Sequence, residues 1–89
     1  MHALVFRVTI HEREEADRLL HEELVPGVSQ APGFVAGYWV NIGEKHGTSV
    51  IVFESEEAAR GVVDQLPPPQ TDSFTLESFD IGEVVAHAP

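Results

Sequence analysis

Trp39 and Tyr38 are the only tryptophan and tyrosine of the chain, and they are the side chains best suited to contact a flat ligand. Neighbours on a strand face opposite sides of the sheet, so only one of the two can line a given pocket. In one interpretation Trp39 is a catalytic residue for an oxygenation and Tyr38 binds the ligand. In the other, one ring fills the core and the other lies in a subunit interface, where amphipathic aromatics are common.

Arg7 is a single charge in the middle of an otherwise apolar strand, HALVFRVTI. Burying an unpaired guanidinium is costly, so this side chain needs either a partner or a route to water. Two roles are open to it: a salt bridge across a dimer to Glu77 or Asp80 of the last strand, or ligand binding as an anchor for an anion.

Glu23 and His21 are the candidate residues on the first predicted helix. Glu23 falls about 20° from the direction of Ala16 on a 3.6-residue wheel, so it points toward the apolar stripe, with His21 on the flank. A carboxylate placed there can act as a general base, which makes Glu23 a candidate catalytic residue and His21 a candidate ligand-binding residue. Because Glu23 is near the helix end, the alternative is that it simply reaches solvent.

The five histidines do not predict a metal site. They show no HxH, HxxxH or HExxH spacing, and the chain has no cysteine to complete a zinc set. Antiparallel pairing of the first and last strands would bring His2 near His87, but such terminal pairs are usually exposed. The sequence also lacks a GxSxG elbow, a glycine-rich phosphate loop and a CxxC pair. We therefore expect no metal and no organic cofactor.

Composition narrows the range of partners. Fifteen acidic and five basic residues give a formal charge of −10, which repels nucleic-acid backbones and anionic lipid surfaces. No apolar run approaches the roughly 20 residues of a membrane span, and the N-terminus does not resemble a signal peptide. We expect a cytoplasmic protein that binds neither nucleic acid nor membrane.

The elements that must position these side chains can be derived from hydrophobic spacing. Alternating and β-branched runs predict strands at 2–10, 34–42, 48–53 and 74–86, with a bulge or bend at Gly82 and a five-residue hairpin loop at 43–47. Apolar residues at helical spacing predict helices at 12–24 and 55–66, the second capped by Ser55. We expect Pro26 and Gly27 to end the first helix, with a loop at 25–33, and Pro67 to Pro69 to end the second.

The order β-α-β-β-α-β predicts one ferredoxin-like α+β domain over 1–89, with a four-stranded antiparallel sheet and both helices on one face. The second strand is apolar on both sides, so the face without helices would expose a large apolar patch. A domain of this size is also marginally stable alone and has no disulfide. These features predict a homodimer formed through the open sheet face.

With these residues in place, the chain resembles the dimeric α+β barrel superfamily, in particular the antibiotic-biosynthesis-monooxygenase-like domains. The resemblance is one of pattern over nearly the whole chain, and its best local matches are APGF at 31–34 and VFESEEAAR at 52–60. It implies a pocket between sheet and helices, used by some members for cofactor-independent oxygenation of aromatic substrates and by others for heme breakdown. The heme-degrading members use an asparagine on the first strand with a tryptophan and a histidine; here that strand has no asparagine, and Trp39 lies on the second.

Two functional hypotheses remain open. In the first, a homodimeric barrel binds an aromatic or other hydrophobic metabolite in a small apolar pocket and oxygenates or rearranges it without a cofactor. In the second, the fold serves as a non-catalytic dimerisation or ligand-sensing module. Catalysis requires at least two titratable or hydrogen-bonding groups that converge on one cavity, whereas the second hypothesis does not.

Overall fold

The computed structural model describes residues 1–65 and 72–88. Within these ranges, four strands and two helical segments alternate in the expected order. The first helical segment consists of α1, a π-helical turn and α2, and the second is α3. The bounds are β1 (His2–Ile10), α1 (Arg13–Leu19), the π turn (Leu20–Leu24), α2 (Val25–Ser29), β2 (Phe34–Ile42), β3 (His46–Phe53), α3 (Glu56–Gln65) and β4 (Phe74–Glu83).

The strands form one antiparallel sheet in the order β2-β3-β1-β4. Both helical segments pack on the same face of this sheet, because Val28 of α2 and Ala59 and Val62 of α3 share one buried cluster with residues of β1 and β3. The ferredoxin-like βαββαβ fold predicted from the sequence is therefore confirmed. The sheet residues of the cluster are Leu4, Ile51 and Phe53.

Side-chain alternation divides the sheet into a helix side and an open side. On β3, Ser49, Ile51 and Phe53 are buried beneath the helices, whereas Val50 and Val52 face the other way and are only half-buried. The same alternation holds on β1, where the even-numbered residues from Leu4 onward face the helices. The space enclosed between the sheet and the helices therefore lies on the helix side, whereas a separate hollow on the open side is lined by Arg7, Thr9, His46 and Glu77 among others.

The first helix does not end where the sequence predicted. Pro26 and Gly27 lie inside α2, and the helical path continues to Ser29. Just before them, the N–H of Val25 donates to the carbonyl of Leu20, five residues back, which is the π-helical pattern. A proline normally collides with the carbonyl four residues earlier, and the wider π turn relieves that collision, so Pro26 does not break the helix here.

The structure also differs from the sequence predictions in the length of the hairpin loop, the end of β4 and the position of the bulge. The β2–β3 loop has three residues, 43–45, because His46 already pairs with Ile42, and Gly43 makes the turn at a φ of 68°. Strand β4 ends at Glu83. Its irregularity lies at Glu77, opposite the step between Arg7 and Val8, and not at Gly82, which pairs regularly with Ala3. The predicted helix end at Leu66 and the prolines at 67–69 lie outside the described residues.

The Ser55 cap of the second helix is confirmed. The backbone N–H of Ala58 donates to the Ser55 hydroxyl at 3.1 Å. Glu56 and Glu57 occupy the first turn, where the helix dipole favours acidic groups. This cap fixes the start of α3, and so places Val62 and Val63 over the sheet.

Candidate functional site

An apolar cavity of about 130 Å³ lies between the helices and the helix side of the sheet. Its lining is aliphatic and aromatic, and it contains no ionisable side chain among the described residues. Phe79, at the β4 edge, is 50% exposed and so marks the rim of the cavity. The lining residues are Leu4, Phe6, Val8, Leu24, Val28, Trp39, Ile51, Val62, Val63, Phe74, Leu76 and Phe79.

A second, smaller cavity of about 60 Å³ adjoins the first and shares part of its wall, including Phe6 and Trp39. We refer to it as the polar-edged cavity, because Asp17, Asn41 and Ser49 are among its lining residues. A molecule with an apolar body and a polar end could therefore place its body in the apolar cavity and its polar end in the polar-edged cavity. The π turn supplies Leu24 to both walls, which fits the frequent occurrence of such turns at functional sites.

Trp39 lines both cavities, and its orientation is set by Gly37. A Cβ added at Gly37 would stand 2.7 Å from Cη2 and 2.8 Å from Cζ3 of the indole, so the ring lies over the bare backbone of that glycine. The indole Nε1 is buried and has no hydrogen-bond partner among the described residues. A buried donor left unpaired costs about 1–3 kcal/mol, and native structures rarely leave one unexplained.

Tyr38 and Arg7 lie on the opposite, open side of the sheet. Tyr38 is 63% exposed, so it does not reach either cavity of its own protomer. Arg7 is also exposed, between Thr48 on β3 and Ser78 on β4, and it forms no salt bridge within the part of the protomer that the structure describes. The structure therefore separates Trp39 from these two candidates, and the alternation argument for Trp39 and Tyr38 is confirmed.

Glu23 and His21 are both exposed, and neither lines the cavities. The prediction that Glu23 points toward the apolar stripe is wrong, because it assumed 3.6 residues per turn. Both residues lie in the π turn, where each residue rotates by a smaller angle about the helix axis than in an α-helix. The directions of the following side chains therefore differ from those of a regular helical wheel. Leu24 takes the place on the cavity wall instead.

The open side carries the exposed apolar strip that the sequence predicted. Tyr38, Val40 and Ile42 of β2 are 63%, 51% and 54% exposed. Val50 and Val52 of β3 continue the strip toward the centre of the sheet. Isolated surface hydrophobics are ordinary, but a contiguous row across neighbouring strands is typical of an interaction surface.

Sequence reasoning missed Ser49, Gly37 and Asp17. Ser49 is the one polar residue among the buried helix-side positions of β3, with 5% exposure, and its place in an otherwise apolar alternation was a detectable signal. Gly37 interrupts a strand two positions before the only tryptophan, which is a known mark of close approach. Asp17 could not be found in this way, because only the packing of α1 brings it to the cavity.

The acids with shifted pKa values lie away from both cavities. The hydrogen bond from Arg18 is the main reason that the pKa of the Glu15 carboxyl is below its usual value, and Arg60 has the same effect on the pKa of Glu56. Both pairs lie on exposed helix surfaces. Among the described residues there is no cluster of three metal-ligating side chains, and no helix is long and apolar enough to cross a membrane.

Several solved structures share this fold. No family model and no curated protein matches the sequence. Among solved structures, a variant of the heme degrader MhuD of Mycobacterium tuberculosis, with two manganese protoporphyrin IX molecules per active site, aligns at a TM-score of 0.69 with 19% identity, covering 100% of this chain and 99% of that one. A dimeric ferredoxin-like protein from an uncultured marine organism aligns at 0.64 with 14% identity over 100% and 99%.

A candidate antibiotic biosynthesis monooxygenase from Bacillus cereus aligns at a TM-score of 0.52 with 17% identity, covering 100% of this chain and 95% of that one. At such low identities the likeness concerns the fold alone, because one fold supports many functions. The resemblance inferred from the sequence is thus confirmed at that level: the chain has the ferredoxin-like fold shared by these heme-degrading and monooxygenase-like proteins.

Proposed function

We propose that this protein is a small-molecule-binding domain that takes a single-ring aromatic or similarly sized apolar molecule in the apolar cavity. The observation that carries the proposal is the cavity itself, about 130 Å³ and lined by apolar side chains around the Trp39 indole. An engineered apolar cavity of about 150 Å³ is known to hold benzene. Size and lining therefore match one aromatic ring.

Heme does not fit this cavity. Pockets for drug-sized ligands measure roughly 300–1,000 Å³, several times the volume here. No histidine, cysteine, tyrosine or lysine is among the described residues that line either cavity, so none can serve as an axial ligand. The helix side of β1 presents Leu4, Phe6 and Val8 and no asparagine. We therefore assign no heme to either of these two cavities.

The protein would act as a homodimer that pairs the open sides of two sheets. The strip formed by Tyr38, Val40 and Ile42 supplies the apolar surface for this contact. Arg7 would then find an acidic partner across the interface, for which Glu77 and Asp80 on β4 are the candidates. The marine protein of the same fold is described as dimeric, which supports a dimer for this chain.

A catalytic version of this proposal is a cofactor-independent oxygenation. An activated ring methylene would be converted to a carbonyl as dioxygen gives one oxygen to the substrate and the other to water. The two hydrogens lost from the methylene leave in that water, so the step balances without another reductant. Trp39 would hydrogen-bond to the developing oxyanion, and Asp17 is the described carboxylate at the cavities that could accept the first proton.

The second candidate function is ligand sensing without turnover. It is favoured by one observation: the apolar cavity has no titratable side chain among its described lining residues. A binding-only module needs apolar complementarity and a response to occupancy, and both are compatible with such a lining. The two candidates share the binding step and differ only in whether the bound molecule is then oxidised.

The binding step can be tested by titrating the protein with toluene and following Trp39, the single tryptophan, by fluorescence. We expect a saturable change, and we expect Val63→Phe to abolish it by filling the cavity. The matched control is Val85→Phe, since Val85 is 88% exposed and lines neither cavity. Absence of a saturable change in the wild-type protein would refute the proposal.

Turnover is tested separately, by measuring oxygen consumption with single-ring substrates that carry an activated methylene. Consumption that requires Trp39 supports the catalytic version. Saturable binding without any oxygen consumption supports the sensing module.

A further inference from the structure

The wall between the two cavities contains hydrogen-bonding groups that the protein itself leaves unpaired. Across the helix side of the sheet, Trp39, Ser49 and Phe6 lie in one cross-strand row on β2, β3 and β1. Trp39 Nε1 is buried without a partner among the described residues. Ser49 is only 5% exposed and lines the polar-edged cavity, and its hydroxyl makes no hydrogen bond within the part of the chain that the structure describes.

Two unpaired hydrogen-bonding groups on adjacent strands at the edge of an apolar cavity favour a ligand that can satisfy both of them. The indole N–H can only donate, whereas the hydroxyl can donate or accept. An apolar ligand would bury both without satisfying either. A ligand oxygen placed at this row would accept from the indole and exchange a hydrogen bond with the hydroxyl, while its ring remained in the apolar cavity.

Charge restricts the ligand further. No lysine, arginine or histidine is among the described residues that line either cavity, whereas Asp17 is among them. An aromatic carboxylate would therefore bring a second negative charge toward Asp17 with no cation to balance it. A neutral molecule avoids this cost.

We propose that the ligand is a neutral, single-ring aromatic molecule with one oxygen on the ring, bound with this oxygen against Trp39 Nε1 and the Ser49 hydroxyl. This inference rests on the proposed function, since it assumes that the apolar cavity receives the ring. It adds the chemical class of the ligand and assigns Ser49 a role in selecting it.

Phenol and toluene form a matched pair of probes, because they have the same number of heavy atoms and differ only in a hydroxyl or methyl group. Calorimetric titration of the full chain with each probe separates the ring contribution from the oxygen contribution. Burying an unpaired hydroxyl is costly, so a purely apolar cavity would bind toluene roughly ten times more tightly. We expect phenol to bind at least as tightly as toluene, and benzoate to bind more weakly than both.

Variants then assign the effect to the two residues. We expect Ser49→Ala, which changes no lining residue of the apolar cavity, to weaken phenol binding about tenfold and to change toluene binding no more than about twofold. Trp39→Phe also alters the apolar wall, so it should weaken the binding of both probes, and phenol about tenfold more than toluene. Tyr38→Phe is the matched control: it also removes a polar atom from an aromatic residue of β2, but on the open side, and it should change neither affinity.

The outcomes separate this inference from the proposed function. If toluene binds in the cavity and phenol binds roughly tenfold more weakly, the cavity accepts rings but the inference about the oxygen is wrong. If benzoate binds as tightly as phenol, the assignment of a neutral ligand is wrong. If no probe binds, the proposed function fails and this inference fails with it. Wild-type affinities alone decide among these outcomes, even if one variant folds poorly.

Discussion

The indole of Trp39 lies over Gly37, two positions earlier on the same strand, so that a Cβ at Gly37 would stand 2.7 Å from the ring atom Cη2. Residues two apart on a strand share a face, and any side chain at 37 would occupy the space of the indole. The missing side chain therefore lets Trp39 lie along β2 and form part of both cavity walls.

Gly37→Ala should displace the indole. The new methyl group meets rigid ring atoms in a packed layer, so Trp39 has to rotate, and overpacking of this kind costs about 1–3 kcal/mol of unfolding free energy. We expect that loss in urea unfolding, together with weaker toluene binding and a shifted Trp39 emission. Full stability with unchanged binding would show that the ring does not depend on Gly37.

Gly61→Ala is the matched glycine substitution, and we expect it to stabilise the protein, whereas Gly37→Ala destabilises it. Gly61 lies inside α3, and a Cβ added there meets nothing within 4 Å. Alanine restricts the unfolded chain and favours the helix, which should raise the unfolding free energy by about 0.4–1 kcal/mol. Urea unfolding measures this change in unfolding free energy, and a loss of stability would contradict the placement of Gly61 on a free helix surface.

Val40→Asp should separate the proposed dimer. Val40 is 51% exposed in the middle of the open-side strip, so a buried unpaired carboxylate would disrupt a sheet-to-sheet interface but not the protomer. Sedimentation should give twice the 9.8 kDa chain mass for the wild-type protein and the monomer mass for the variant, with unchanged circular dichroism. The control Val85→Asp, outside the sheet, should stay dimeric; a monomeric wild-type protein at micromolar concentration would refute the interface.

Glu15→Gln should have a pH-dependent effect on stability. The hydrogen bond from Arg18 lowers the pKa of the Glu15 carboxyl in the folded protein. A lowered folded pKa stabilises the fold above the unfolded value, about 4.3 for glutamate, and this contribution is lost as the pH falls through the folded pKa. The variant should therefore unfold at slightly lower urea concentration near pH 6, and the difference should shrink toward about pH 3.

Glu14→Gln controls for the loss of one negative charge, since Glu14 forms none of the ion pairs found among the described residues. Both side chains of the Arg18–Glu15 pair are exposed, so added salt should reduce the effect. A Glu15→Gln difference that persists unchanged at low pH would contradict this assignment.

Sequence alternation was sufficient to predict the sheet and the pairing of residues on its faces. Trp39 and Tyr38 had to face opposite sides because they are neighbours on a strand, and the order of the elements then left only one face for the helices. What alternation could not decide was which of the two rings faced the helices. That depends on how β2 pairs with β3, where a register irregularity lies just after Phe34.

The residues of the first helix were harder to predict, for a physical reason. A wheel of fixed period places Glu23 inward, but the π turn at Leu20–Leu24 changes the angular step and brings Leu24 inward instead. No single residue type encodes a π turn, although a proline such as Pro26 directly after it is better accommodated by a widened turn than by a regular one. The candidates on this helix were therefore assigned from a geometry that the chain does not adopt.

A crystal structure of the protein saturated with toluene would test the central claim most directly. We predict one aromatic ring between the sheet and the helices, in contact with Trp39, Leu4 and Ile51. Density for toluene only on the open side, against Tyr38 and Ile42, or no bound ring at all, would contradict the assignment of the apolar cavity as the binding site.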